Sequence, residues 1–164
     1  MRPYPVPLPA VSLALLLAMQ MPAWSANGDE AAGGKLTLVS EGQPAATIIL
    51  AASPADNARV AAAELQNYIE KITGARLPIK TDEDRTDGIL ILVGRSRLTD
   101  AMPDLDIPKG QTRRYQEEGF IIQTRGNRLI LAGNDAVPYL GTRYAVIELL
   151  HRLGVRWFMP GEMG

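Results

Sequence analysis

The stretch "SPADNARVAAAELQNYIEKITG", residues 53–74, decides the fold class, because its apolar residues change from strand spacing to helical spacing. Apolar residues recur there at intervals of three and four, as on one side of a helix: Val60, Ala61, Leu65, Tyr68, Ile69 and Ile72. At the start, Ser53 can cap free amides and Pro54 suits the first helical position. Asp56 complements the positive helix end, and Gly74 can take the left-handed conformation that ends a helix.

Short strand-like runs flank this predicted helix on both sides. Before it, "KLTLVS" (35–40) and "ATIILAA" (46–52) are rich in Thr, Val, Ile and Leu, and "EGQPA" between them carries turn residues. After it come a short extended piece, "RLPIK" (76–80), and the unbroken apolar run "ILILVG" (89–94), which is typical of an interior strand. Strand, helix and buried strand in this order predict a crossover within a parallel sheet.

The second half of the chain opens with a long irregular segment and continues with a hairpin. Residues 95–116 are polar and contain two prolines, so we expect an excursion over the surface with at most one helical turn. Residues 118–133, "EGFIIQTRGNRLILAG", place Gly126-Asn127 between two strand-like runs. Both residues tolerate positive φ, so this stretch predicts a tight β-hairpin.

Helical spacing returns after the hairpin. Between Pro138 and Leu153 the apolar side consists of Leu140, Tyr144, Ile147, Leu150 and Leu153, and Gly154 follows as a stop. "VRWF" (155–158) is predicted to be a final short strand. The economical arrangement is an α+β two-layer sandwich, with two helices on one face of a mixed sheet of five to seven strands.

The first 25 residues are predicted to be a signal peptide rather than part of the fold. Arg2 is the only charge before Asp29, an apolar core follows it, and small residues precede a cleavage site after Ser25. The alternatives are a membrane anchor or a buried helix, but the apolar core is shorter than the roughly 20 residues that a spanning helix needs. We therefore expect export, a flexible leader at 26–35, a domain at 36–164, and no membrane association after cleavage.

Composition excludes several function classes. The chain has 17 basic and 18 acidic residues, so it lacks the positive charge that attracts nucleic acid. It contains no cysteine, which excludes disulfides, thiolate metal sites and cysteine nucleophiles. An exported domain of this kind must be stabilised by its apolar core.

The motifs that could carry chemistry favour structural roles, and we expect no cofactor and no metal. The single histidine, His151, lacks a second histidine and fits a helix end. "TDEDRTDG" (81–88) departs from calcium-loop spacing and is predicted to be a solvated loop. "AGNDAVPYLGTRY" (132–144) lacks the third glycine and the lysine of nucleotide loops, so Gly141 is expected to let the helix approach the sheet.

Adjacent acids are a further possibility for chemistry. Glu117 and Glu118 stand side by side before a strand, where neighbouring side chains face opposite ways. They cannot readily converge on one glycosidic bond. An independent hydrolase built on Glu117 or Glu118 is nevertheless one of the alternatives.

Four stretches together resemble a known family. "AAAELQNYIEKITGARLPI", "ILVG", "EGFIIQTRGNRLILAGND" and "GTRYAVIELLHRLGVRWFMPGE" follow the order and spacing of the α/β domain that precedes the catalytic barrel in α-glucuronidases and β-N-acetylhexosaminidases, and in related large exported bacterial proteins. The resemblance covers residues 36–164. It implies a two-layer fold and places the catalytic carboxylates in a C-terminal (β/α) barrel that this chain lacks.

The resemblance also implies a role for the end of the chain. The chain would be a non-catalytic accessory domain of an exported carbohydrate-active hydrolase, truncated at a hinge formed by Pro160 and Gly161. Interdomain-interface or pocket-rim candidates are Arg156, Trp157, Phe158 and Glu162. The alternative is a self-standing periplasmic module that binds polysaccharide, oligosaccharide or another partner.

Overall fold

The computed structural model describes residues 35–110 and 117–157. The strands are β1 (Val39–Ser40), β2 (Gln43–Pro44), β3 (Ala46–Leu50), β4 (Ile79–Thr81), β5 (Ile89–Val93), β6 (Phe120–Arg125) and β7 (Arg128–Gly133). The helices are α1 (Asp56–Thr73), α2 (Arg97–Asp100) and α3 (Gly141–Arg152). Within the described ranges, no helix has the length and apolar character needed to span a bilayer.

Five strands form the main sheet, in the order β4-β3-β5-β7-β6. Strand β3 pairs in parallel with both β4 and β5, β5 pairs in parallel with β7, and β6 is antiparallel to β7. The predicted crossover through α1 therefore joins β3 to β4, and β5 lies on the other side of β3. The predicted mixed sheet and the hairpin around Gly126 are both confirmed; in that turn Gly126 has a φ of 55°.

Helices α1 and α3 cover one face of the sheet, as predicted. Their apolar side chains pack on alternate residues of the central strands, and the core of this layer includes Ile48, Leu65, Ile69, Ile91, Leu131, Val146 and Leu150. All seven are at most 3% exposed. Because apolar burial is the main stabilising contribution to folding, this layer holds a cysteine-free domain together.

The opposite face of the sheet is covered by the segment predicted to be a surface excursion. Ile49, Leu92 and Ile130 pack there against Ile107, with partly buried residues of the same segment: Leu98, Met102 and Leu105. The predicted single helical turn is α2, capped by Ser96. Burial on both faces explains why the central strands are apolar without interruption.

Helix α1 differs from its prediction at its start and in its buried face. The N-cap is Ala55, which offers no side-chain acceptor, so Ser53 and Pro54 lie before the helix and do not cap it. Val60 and Ile72 are 40% and 52% exposed. The buried stripe is instead Ala58, Ala61, Ala62, Leu65 and Ile69. Its three alanines let the helix approach the sheet closely, and Val60 and Ile72 lie outside this stripe.

Helix α3 begins at Gly141 rather than at Pro138, and Tyr144 and Leu153 are exposed rather than buried. The helix start is set by contact between Gly141 and the end of β7, where a Cβ on either Gly133 or Gly141 would overlap backbone atoms. This close approach was expected of Gly141. The predicted stops are confirmed, since Gly74 and Gly154 have φ values of 75° and 100°.

Both ends of the domain differ from the predicted strands. Residues 35–40 do not join the main sheet, because β1 pairs only with β2 across a tight turn at Glu41 and Gly42. Residues 155–157 form no strand; instead, the Val155 amide donates a 3.0 Å hydrogen bond to the Leu150 carbonyl and folds the chain back on α3. Phe158 lies outside the described residues.

Candidate functional site

Loops after β3, β4 and β5 meet at the carboxyl ends of these parallel strands, around the carboxylate of Asp82. This side chain is 2% exposed. It accepts hydrogen bonds from the amides of Ala52 and Arg97, at 3.0 and 2.8 Å, and Arg97 also donates to the Asp82 carbonyl. The prediction of a solvated loop at 81–88 was therefore wrong at Asp82, because the loop after β3 and the start of α2 supply backbone donors that the local sequence does not reveal.

A second carboxylate, Asp135, stands at the end of β7. It accepts the Thr142 hydroxyl at 2.7 Å and the Thr142 amide at 3.2 Å, so it fixes the first turn of α3. Burial raises the pKa of Asp135 above the ordinary 3.8, although the hydrogen bonds from Thr142 and the charge of Arg95 oppose that shift. Compared with an ordinary aspartate, the folded environment therefore makes this carboxyl group harder to deprotonate.

This raised pKa predicts how Asp135→Asn changes stability with pH. A raised pKa means that the contribution of Asp135 to the unfolding free energy is fully present below the ordinary 3.8 and is lost as pH rises through the folded-state pKa. Wild type should therefore lose stability relative to Asp135→Asn as pH rises towards 7. Urea unfolding of both proteins across this range measures the difference. If wild type instead gained stability relative to Asp135→Asn as pH rises, the hydrogen bonds from Thr142 would outweigh burial in setting the pKa of Asp135.

The other groups considered for chemistry have structural partners or are exposed at a helix end. The Glu118 carboxylate accepts the Leu140 amide at 2.9 Å, while Glu117 presents its carbonyl to Asn134. His151 is exposed in the last turn of α3. Among residues 35–110 and 117–157, no group of three or more His, Cys, Asp or Glu side chains could hold a metal ion.

A pocket of about 320 Å³ lies on the outer side of the helix layer, between α1 and α3. Its lining residues are Glu64, Tyr68, Arg143, Ile147, Leu150 and Trp157. Its apolar wall is formed by Tyr68, Ile147, Leu150 and Trp157, and its ionic wall is the Glu64–Arg143 pair. We call it the α1–α3 pocket.

Trp157 is held at the rim of the α1–α3 pocket by Tyr68. The indole N–H donates to the Tyr68 hydroxyl at 2.7 Å, and the two rings meet edge to face with centroids 5.6 Å apart. Trp157 is nevertheless 40% exposed. The contact fixes the direction of the indole ring and leaves part of its surface open to a ligand.

The ionic wall is a two-point contact between the helices. Arg143 on α3 donates through Nε to one Glu64 oxygen at 3.0 Å and through a terminal nitrogen to the other at 2.5 Å. The pairing with Glu64 raises the pKa of Arg143. Both side chains remain partly exposed, so they keep hydrogen-bonding capacity towards the pocket.

Two of the four predicted site residues, Arg156 and Trp157, lie within the described part of the chain. Trp157 lies on a pocket rim, whereas Arg156 donates to the carbonyls of His151 and Val155, at 2.6 and 2.8 Å, and closes the end of α3. Phe158 and Glu162 lie outside the described residues.

The predicted site residues include only one of the six pocket residues, Trp157, and miss the other five: Glu64, Tyr68, Arg143, Ile147 and Leu150. Four-residue spacing places Glu64 and Tyr68 on one side of α1. That they face Arg143 on α3 follows only from the packing of the helices.

Comparison with known proteins gives the family. A family model described as "Glycosyl hydrolase family 67 N-terminus" matches residues 36–146. The chain belongs to this family. A solved structure described as a family GH115 4-O-methyl-α-glucuronidase, BtGH115A, with specificity for decorated arabinogalactans, matches with a TM-score of 0.53 and 24% identity. The match covers 72% of this chain and 14% of that chain, and it supports the fold alone. No curated protein matches.

Proposed function

We propose that this chain is the non-catalytic N-terminal accessory domain of an exported, α-glucuronidase-like carbohydrate-active hydrolase, and that a catalytic (β/α) barrel follows it in the intact protein. The family match over residues 36–146 carries this proposal. The 14% coverage of the GH115 chain fits a domain that is a small part of a larger enzyme. Export is proposed from the apolar N-terminal segment with cleavage after Ser25.

The positions of the carboxylates support a non-catalytic role. Glycosidases use two carboxyl groups on opposite sides of the scissile bond. Here Asp82 is buried under backbone donors, Asp135 holds α3, and Glu118 holds the segment before α3. In the proposed protein both catalytic carboxylates belong to the barrel.

The test combines enzymology with the DNA that follows codon 164. We expect the full chain to show no turnover of aryl glycosides above buffer, and the DNA to encode a barrel-like continuation in some frame. Measurable turnover that survives rigorous purification would contradict the non-catalytic role. A long noncoding stretch would contradict the accessory-domain role and favour a self-standing carbohydrate-binding module, the second candidate, which the exposed Trp157 supports.

A further inference from the structure

We infer that the α1–α3 pocket binds one neutral pyranose unit of a saccharide, with Trp157 as its stacking surface. The choice of a saccharide over other amphiphilic ligands rests on the proposed carbohydrate-related function. The pocket itself, its two unlike walls and its fixed aromatic ring are properties of the structure. A pyranose ring has an apolar face of C–H groups and a rim of hydroxyls, so it matches both walls at once.

The apolar wall suits the C–H face of a sugar. Trp157 cannot turn freely, because its N–H is bonded to the Tyr68 hydroxyl and its ring packs on Tyr68. Leu150, 1% exposed, and the half-buried Ile147 complete this wall. A ring that is already oriented loses little conformational entropy when a ligand stacks on it.

The ionic wall suits the hydroxyls. Glu64 uses one lone pair on each oxygen for Arg143, so further acceptor sites remain. Arg143 has five N–H donors, of which two are used in this pair. The Tyr68 hydroxyl accepts from Trp157 and can donate its own proton. Donors and acceptors therefore stand together, as the hydroxyls of a sugar require.

The Glu64–Arg143 pair favours a neutral sugar over a uronate, although the Lys71 ammonium lies 5.3 Å from the centroid of the Tyr68 ring. The polarity of the pair favours a sugar over an apolar side chain of a partner protein. Glu64 already neutralises the Arg143 charge. A ligand carboxylate at this pair would therefore be repelled by the Glu64 carboxylate and would find no unpaired cation in the pair. An apolar side chain would strip water from the ion pair without replacing its hydrogen bonds, which costs free energy. A neutral hydroxylated ring avoids both costs.

The experiment uses the full chain with Trp24→Phe, which leaves Trp157 as the only tryptophan. Methyl xyloside, methyl glucoside, N-acetylglucosamine and sodium glucuronate are titrated while indole fluorescence is followed. We expect a saturable change at millimolar concentrations of at least one neutral sugar and weaker binding of glucuronate. Trp157→Ala, followed by calorimetry, should weaken the binding by at least about tenfold, as expected for loss of a central aromatic contact. Phe120→Ala removes an equally exposed aromatic outside the pocket and is the matched control.

Glu64→Gln tests the charge argument. This variant keeps the size of the side chain but leaves Arg143 as an uncompensated cation, so the preference should shift from neutral sugar towards glucuronate. Circular dichroism confirms that each variant is folded, and Glu64→Ala, which also leaves Arg143 without its acidic partner, replaces Glu64→Gln if that variant does not fold. The inference is overturned by no saturable change with any neutral sugar, by equal binding in Trp157→Ala, or by an unchanged preference in a folded ionic-wall variant. These results are independent of turnover and of the downstream DNA, which test the proposed function.

Discussion

Gly141→Ala is expected to lower the unfolding free energy by about 3 to 4 kcal/mol, at the upper end for an overpacked site. A Cβ at this position would overlap the backbone nitrogen of Asn134 and would lie 2.5 Å from the Gly119 carbonyl oxygen. Both obstacles are backbone atoms at the end of the sheet, so no side-chain rotation can relieve the clash. Urea unfolding followed by circular dichroism measures the loss.

Gly110→Ala is the control for this variant. Gly110 has a φ of 62°, but a Cβ there meets no atom of residues 35–110 and 117–157 within 4 Å. Its substitution should cost only the left-handed backbone strain, about 1 kcal/mol. Equal losses in the two variants would contradict the close contact between α3 and β7, because Gly141 has no positive φ and the overlap of its Cβ with backbone atoms should add a cost that Gly110 lacks.

Local sequence patterns predicted most of the fold, because the elements repeat over several residues. Three examples are the apolar run at 89–94, the hairpin at Gly126 and the glycine at the end of α1. In each of them, the local sequence favours the conformation that the folded domain adopts. The strand at 35–40 was misplaced because its three apolar residues favour a strand without specifying which sheet it joins. Likewise, Val60 and Ile72 share the helical period of α1 but fall outside the sector that the sheet and α3 cover.

The candidate site was predictable only in part. Trp157 stands out in the sequence as a large apolar residue near the end of the domain, and the structure places it on a pocket rim. The partners of Trp157 come from distant parts of the chain: Tyr68 is 89 residues away, and the Glu64–Arg143 pair spans 79. Such contacts depend on how α1 and α3 are placed side by side, which no local spacing specifies.

Asn134→Ala is the second variant with a large expected effect, because one buried amide satisfies four backbone groups. Its oxygen accepts the amides of Gly110 and Ala136 at 3.0 and 3.1 Å. Its nitrogen donates to the carbonyls of Gly110 and Glu117 at 2.9 and 2.8 Å. The side chain thus ties the chain on both sides of residues 111–116 to the end of β7. Removing it leaves unpaired groups that water can reach only partly, and we expect a loss of about 3 kcal/mol.

Asn127→Ala provides the matched comparison, since it removes the same amide from an exposed turn. Asn127 donates one side-chain hydrogen bond, to the Gly88 carbonyl, and water can replace that bond. Its loss should therefore be below about 1 kcal/mol. Asn134→Asp should not restore stability at neutral pH, because a carboxylate would face the two carbonyl oxygens that the amide nitrogen now satisfies. If Asn134→Ala were no worse than Asn127→Ala, water would be replacing the buried amide, and the loops beside the end of β7 would owe their positions to apolar contacts alone.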